Sequence, residues 1–225
     1  LILLVSFDKF GSHLESNHFV KNIAVFASGR GSNFSTILGK IQAGEIAARV
    51  TCLISDRAQP PVFDIAREAG IPTYWISRKH FANPDDYVNF LLGVLSQHAV
   101  DLIVLAGYLK MIPIPVVQKY RGAILNIHPA LLPNFGGHGL YGSKVHEAVL
   151  ASGVKTTGAT VHFVDEHYDT GPIIKQEQVA VLEHDTPESL AHRVLEAEHR
   201  LYPEVVRAFC EGKIKLIDHK VQWSL

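Results

Sequence analysis

Ile23-Ala24-Val25-Phe26-Ala27-Ser28-Gly29-Arg30-Gly31-Ser32-Asn33-Phe34 is the stretch on which the fold turns. Its apolar run is too short for a helix and ends in a glycine-rich turn, so residues 23–27 predict a buried strand. Beyond the turn, Phe34, Ile37, Leu38 and Ile41 recur at the spacing of one helical face, which predicts a helix over 34–41. Strand, tight turn and helix make the first half of a βαβ unit. The chain then repeats the pattern. Strand patterns at 50–54, 73–76 and 102–105 alternate with helical patterns at 62–69, ended by Gly70, and at 85–97. Such alternation predicts an α/β fold: a single Rossmann-like, mostly parallel twisted sheet with helices on both faces.

Further along the pattern changes. An apolar run at 123–125 leads into Asn126-Ile127-His128-Pro129-Ala130-Leu131-Leu132-Pro133, where two prolines stop the strand. After a glycine-rich loop from Phe135 to Gly142 come a helix at 143–151 and strands at 160–164 and 173–181, the second predicted antiparallel after a turn at Gly171-Pro172. Thr186-Pro187-Glu188 opens a long last helix with a capping residue and a first-turn proline, Gly212 closes it, and 213–217 predicts a short terminal strand. The carboxyl-terminal part is therefore expected to be antiparallel.

With 225 residues, 47% of them hydrophobic and 19% charged, the chain suits one globular domain over 21–225. Residues 1–20 form an amino-terminal extension of unknown role, whose apolar start, Leu1 to Val5, is far shorter than a membrane span. A net charge of -1 recommends neither nucleic acid nor a membrane as partner. Cys52 and Cys210 belong to no C-x-x-C pair, which argues against a disulfide scaffold and for a reducing, cytoplasmic setting. Thirteen histidines are scattered without a His-Glu-x-x-His cluster, so no metal is expected. A homodimer is left open.

Three groups of residues carry candidate chemistry. Backbone N–H groups at a helix start favour phosphate, which makes Gly31, Ser32 and Asn33 a candidate phosphate turn. That turn lacks the third glycine of a dinucleotide fingerprint, although Asp56 near the end of the second strand keeps an NAD-dependent dehydrogenase as a rival reading. Asn126 and His128 share one face of their strand, because side chains alternate. An amide that donates to an oxyanion beside an imidazole that moves a proton is a minimal kit for chemistry at a carbonyl. Leu109, Lys110, Met111 and Ile112 leave the fourth strand at the carboxyl edge of the sheet, where open α/β sheets bind ligands. A non-catalytic phosphate-binding module would keep the Gly31 turn but has no use for Asn126 and His128.

Asn126-x-His128-Pro129-x-Leu131-Leu132-Pro133, followed by His162-Phe163-Val164 and Asp169-Thr170-Gly171, resembles the folate-dependent formyltransferase superfamily. From about Asn22 to Leu216 the chain looks most like its purine-synthesis branch. The resemblance implies transfer of a formyl group from 10-formyltetrahydrofolate to the amine of glycinamide ribonucleotide, with no metal. It implies that Gly31, Ser32 and Asn33 hold the ribonucleotide phosphate and that Glu198 contacts the same substrate. It further implies that Leu109, Lys110, Met111, Ile112 and Asn126 line the folate site, partly through backbone groups. Asp169 would complete a catalytic group with Asn126 and His128, while His162 reads as structural support and Asp165 and Glu166 as a solvated turn. A carboxylate raises the pKa of a neighbouring imidazole above about 6.5, so His128 is expected to act as a protonated acid tuned by Asp169. The family's folate-contacting arginine aligns near Pro84 here. Formyltetrahydrofolate deformylase and methionyl-tRNA formyltransferase are the neighbouring activities. Each is expected to need an added domain for which this length leaves no room.

Overall fold

A computed structural model describes residues 20–224; the amino-terminal extension set apart above lies outside them except for Val20. The chain begins with β1 (Lys21–Phe26), α1 (Ser32–Gln42), β2 (Ala48–Ser55), α2 (Val62–Glu68) and β3 (Thr73–Trp75). A 3-10 helix (Arg78–His80) leads to α3 (Pro84–Gln97), β4 (Leu102–Leu105), α4 (Ile114–Lys119) and β5 (Ile124–His128). After these come α5 (Ser143–Ser152), β6 (Thr156–Phe163), β7 (Ile173–Ala180), α6 (Pro187–Cys210), β8 (Ile214–Ile217) and β9 (Lys220–Trp223). Seven strands form one sheet in the order β3-β2-β1-β4-β5-β6-β7. Strands β1 to β5 pair in parallel, and β6 and β7 are added antiparallel.

Burial explains why the central strands are apolar without a break. Ile23, Val25, Val104, Leu125 and Ile127 pack on the face covered by α1, α2 and α6. Their neighbours Ala24, Phe26, Ile103, Leu105 and Ile124 pack against α3 and α4 on the other. A sheet buried on both faces needs such continuous runs. Strand order reverses at β1 and β4, which leaves a crevice at their carboxyl ends. Across it the Ser28 N–H donates to the Gly107 carbonyl at 3.1 Å. The two loops expected to carry ligands are thereby neighbours.

Some elements depart from the sequence pattern. Helix α4 begins at the prolines Pro113 and Pro115, which fit a first turn because its N–H groups lack intrahelical partners. Strand β8 does not extend the main sheet; it pairs with β9 through a turn whose Asp218 and His219 adopt φ of 48° and 60°. Glycine or asparagine usually marks such a turn, so its sequence is silent. Strand β6 starts at Thr156, with Gly158 inside it, where a Cβ would fall 2.0 Å from the Glu177 carbonyl oxygen of β7.

Candidate active site

Strand β5 ends on Asn126 and His128, two residues apart and on the same face as Ile124. The antiparallel register of β6 places His162 opposite Asn126 and Thr160 opposite His128. Cross-strand partners share a face, so four polar side chains gather beside the apolar strand β4. Asp169 reaches them from the loop between β6 and β7. Its φ of 56° is a left-handed conformation that Asp and Asn tolerate better than most residues.

Asp169 sits between two imidazoles: Oδ2 lies 3.6 Å from Nδ1 of His128 and Oδ1 lies 3.7 Å from Nε2 of His162. The Gly137 N–H donates to Asp169 Oδ2 at 2.9 Å, and Nε2 of His128 donates to the Phe135 carbonyl at 2.8 Å. A carbonyl only accepts, so one proton stays on Nε2 and a second protonation must occur at Nδ1, the nitrogen facing Asp169. By the same logic His162 donates from Nδ1 to the Phe163 carbonyl at 2.8 Å, leaving Nε2 to accept from the Asn126 amide at 3.1 Å. The amide nitrogen of Asn126 also donates to Asp169 Oδ1, at 3.4 Å.

The electrostatics correct one expectation. Burial lowers the His128 pKa below the ordinary imidazole value, although Asp169 and the Phe135 carbonyl pull it upward. His128 is 4% exposed, and the desolvation of its cation outweighs the carboxylate 3.6 Å away. The imidazole is therefore neutral at pH 7 rather than protonated. Burial also pushes the Asp169 carboxyl up, but His162, His128 and the Gly137 N–H together hold it below the usual carboxylate range. Carboxylate and neutral imidazole stand side by side. The glycine-rich loop clamps them: a Cβ on Gly136 would lie 2.4 Å from Cδ2 of Leu132 and 3.1 Å from Cβ of Asp169.

At the other end of the crevice, Gly31 is the N-cap of α1 with φ 82°, and a Cβ there would meet Val62 Cγ2 at 2.3 Å. Ser32 opens the helix, and Asn33 donates from Nδ2 to Glu198 Oε2 of α6 at 2.6 Å across 165 residues. Glu198, which reads in sequence as a surface helical acid, is 8% exposed. Burial raises its pKa to about 7, offset only in part by the Asn33 bond. The Asn33 Oδ1 atom is buried without a hydrogen-bond partner.

The segment after β4 divides. Ile112 is 3% exposed and belongs to the core under α3 and α4, and the Leu109 N–H donates to Ser28 Oγ at 3.3 Å. Lys110 and Met111 instead line a cavity of about 380 Å³ with Arg78, Lys79, Tyr87 and Tyr108. Asp56 also borders it and accepts from Ser28 Oγ at 2.5 Å. Sequence reasoning missed Tyr202 of α6, whose hydroxyl lies 3.0 Å from the Leu105 carbonyl and 2.9 Å from that of Leu125. It ties the helix carrying Glu198 to β4, which leads into Leu109–Ile112, and to β5, which carries Asn126 and His128. His162 was detectable through strand pairing once β5 and β6 are set antiparallel.

Amide, imidazole and carboxylate at the strand ends of an α/β sheet are equipped for group transfer at a carbonyl carbon. Residues 21–206 match the formyl transferase family, and the chain belongs to it. It is 49% identical over 197 residues to the chloroplastic phosphoribosylglycinamide formyltransferase of Arabidopsis thaliana, an alignment covering 87% of this chain and 67% of the plant protein. Against phosphoribosylglycinamide formyltransferase of Haemophilus influenzae the identity is 38% over 200 residues, covering 89% of this chain and 92% of the bacterial one. The crystal structure of glycinamide ribonucleotide transformylase 1 from Symbiobacterium toebii superposes with a TM-score of 0.86 at 38% identity, over 96% of this chain and 99% of that one. Among the described residues no helix is long and apolar enough to cross a membrane. Nor, among them, does any group of three or more His, Cys, Asp or Glu side chains have an arrangement that could hold a metal ion.

Proposed function

We propose that residues 21–225 act as a phosphoribosylglycinamide formyltransferase, moving the formyl group of 10-formyltetrahydrofolate to the amine of glycinamide ribonucleotide in purine synthesis. The observation that carries this reading is the Asn126–His128–Asp169 group in one crevice with the Gly31 turn, in a chain so similar to enzymes of that name. Both cysteines are buried and unpaired, which supports a reducing, cytoplasmic-type compartment.

The geometry supports a role for each residue. The Gly31 turn and Ser32 present backbone N–H groups at the positive end of α1 to the ribonucleotide phosphate. Glu198 and the unpartnered Asn33 Oδ1 accept hydrogen bonds from the rest of that substrate. Lys110 and Met111 border the folate, with Leu109 and Ile112 shaping the wall from behind. In the reaction a C–N bond forms to the attacking amine, another breaks to the folate nitrogen, and one proton passes between the two nitrogens. Neutral His128 carries that proton. Its Nδ1 lone pair takes it from the amine, Asp169 stabilises the resulting imidazolium, and the ring then gives it to the departing nitrogen. Asn126 turns one amide N–H to the developing oxyanion by releasing its longer bond, the 3.4 Å contact with Asp169, while His162 keeps the amide oriented.

The test offers the purified protein 10-formyltetrahydrofolate with glycinamide ribonucleotide, with initiator methionyl-tRNA, or with water alone, and reads products by mass. Formylated ribonucleotide is expected. Formate released at the same rate without any acceptor would establish a deformylase instead.

A further inference from the structure

Asp56 follows β2 at the place where a dinucleotide enzyme keeps its ribose-binding acid, a task that formyl transfer does not call for. Its carboxylate is engaged all the same. Oδ1 accepts from Ser28 Oγ at 2.5 Å, so the single hydroxyl proton of Ser28 is committed to Asp56 and the hydroxyl lone pairs are left to serve another donor. They accept the Leu109 N–H at 3.3 Å, across 81 residues. Ser28 is 1% exposed, and its own N–H donates to the Gly107 carbonyl at 3.1 Å, beside the Ala106 N–H that donates to the Phe26 carbonyl at 2.8 Å. The bonding between β1 and β4 thus runs on past both strand ends. Asp56 is held in turn, because Trp75 Nε1 donates to its carbonyl at 3.3 Å.

We propose that Asp56 and Ser28 are positioning residues for the transfer: Asp56 orients the Ser28 hydroxyl, and the hydroxyl fixes the Leu109 backbone so that the segments serving the two substrates share one frame. The inference rests on the formyltransferase reading and adds two residues to it. Ser28 opens the turn that leads through Gly31 to the phosphate end, and Leu109 opens the segment set beside the folate. An amine and a formyl carbon carried by separate ligands must meet in line, and a misplacement of about 1 Å can cost about a hundredfold in rate. A tether between the two segments therefore acts on the reaction. The second segment needs one. Gly107, two residues before Leu109, stands at φ 75° with nothing within 4 Å of where a Cβ would lie, so the backbone there has a freedom that the Ser28 bond removes. Burial sharpens the effect, since an unmet N–H out of reach of water costs more than one in solvent.

Ser28→Ala, Asp56→Ala, their double variant and Asp56→Asn are compared with the wild type by formyl-transfer kinetics and by calorimetry with glycinamide ribonucleotide and with tetrahydrofolate, well below each melting temperature. Ser28→Ala is expected to lower kcat about tenfold and to weaken the folate about fivefold, the worth of one lost hydrogen bond, while ribonucleotide affinity stays within about twofold. Asp56→Ala should show the same split. Because the carboxylate acts through the hydroxyl, the double variant should be no worse than Ser28→Ala. Asp56→Asn keeps an acceptor oxygen for Ser28 and should recover most of what Asp56→Ala loses. Equal weakening of both ligands, a lower melting temperature with unchanged kinetics, losses that multiply in the double variant, or no recovery in Asp56→Asn each overturn the proposal and leave the functional reading standing. A wild type that binds both ligands and forms no formylated ribonucleotide overturns the functional reading, and the proposal with it.

Discussion

The two ends of the crevice hold the same kinds of groups in opposite states. Around His128 each side chain is held by a protein partner: Asp169 by Gly137, His128 through Nε2 by Phe135, and Asn126 by His162 and Asp169. Only the Nδ1 lone pair of His128 is left open, 3.6 Å from Asp169. Around Gly31 the groups are unspent, with Asn33 Oδ1 buried and unpartnered and the Glu198 carboxyl raised to about 7 by burial. A satisfied cluster is rigid and costs little to keep, so it suits groups that must already be in place when a reaction begins. An unsatisfied pair costs stability that a ligand can restore. The difference separates a preorganised chemical end from a ligand-completed binding end, and substitutions at the two should behave differently.

The largest effect is expected from His128→Ala. Removing a proton carrier lowers turnover by at least about a hundredfold, while affinity for glycinamide ribonucleotide, set at the far end, stays within about twofold. Steady-state rates and calorimetry on the same preparation check this. Turnover near the wild type would make the satisfied cluster a structural feature only. Asp169→Asn comes next, with a fall of about tenfold or more. Asn accepts the left-handed backbone at this position and its side-chain oxygen still receives the Gly137 N–H, so what is lost is the charge and the acceptor of the long 3.4 Å bond from Asn126. Asp169 raises the pKa of His128 within a shift that is downward overall. Without it the pKa falls further, the neutral base persists to lower pH, and the acid limb of kcat/KM moves to lower pH. An unmoved limb would show that Asp169 does not act through His128.

The parts of this comparison that are legible in the sequence are those set by local period. The run from Ile23 to Phe34 displays strand, turn and helix directly, and the two-residue spacing of Asn126 and His128 displays their common face. Contacts made by backbone atoms of distant loops leave no such trace: nothing in the letters says that the Phe135 carbonyl meets His128, or that Gly137 meets Asp169. Burial is equally hidden. Sequence supplies Asp169 as a partner for His128 but not the desolvation that reverses the sign of its shift. Glu198 sits in a helix rich in exposed charges, and only packing of α6 against α1 shows it to be inside.

That buried acid gives the smallest effect and the sharpest discrimination between the two ends. Glu198 has a folded-state pKa of about 7 against an ordinary 4.5, so the folded protein binds its proton more tightly than the unfolded chain does. Its favourable contribution is fully present below pH 4.5 and is lost as pH rises through about 7. Gln cannot titrate, and its side-chain oxygen still accepts from Asn33. The stability of Glu198→Gln relative to the wild type should therefore climb between pH 5 and pH 8 and level off above, a trend that melting temperatures at matched ionic strength will show. Binding should move the other way: the ribonucleotide KM rises about threefold to tenfold at pH 8, where the wild-type carboxylate accepts hydrogen bonds with full charge, and less at pH 6. Saturating ribonucleotide should raise the wild-type melting temperature more than that of the variant. A stability difference that stays flat with pH would mean that Glu198 is solvated and ionised throughout. The binding end would then be as satisfied as the chemical end.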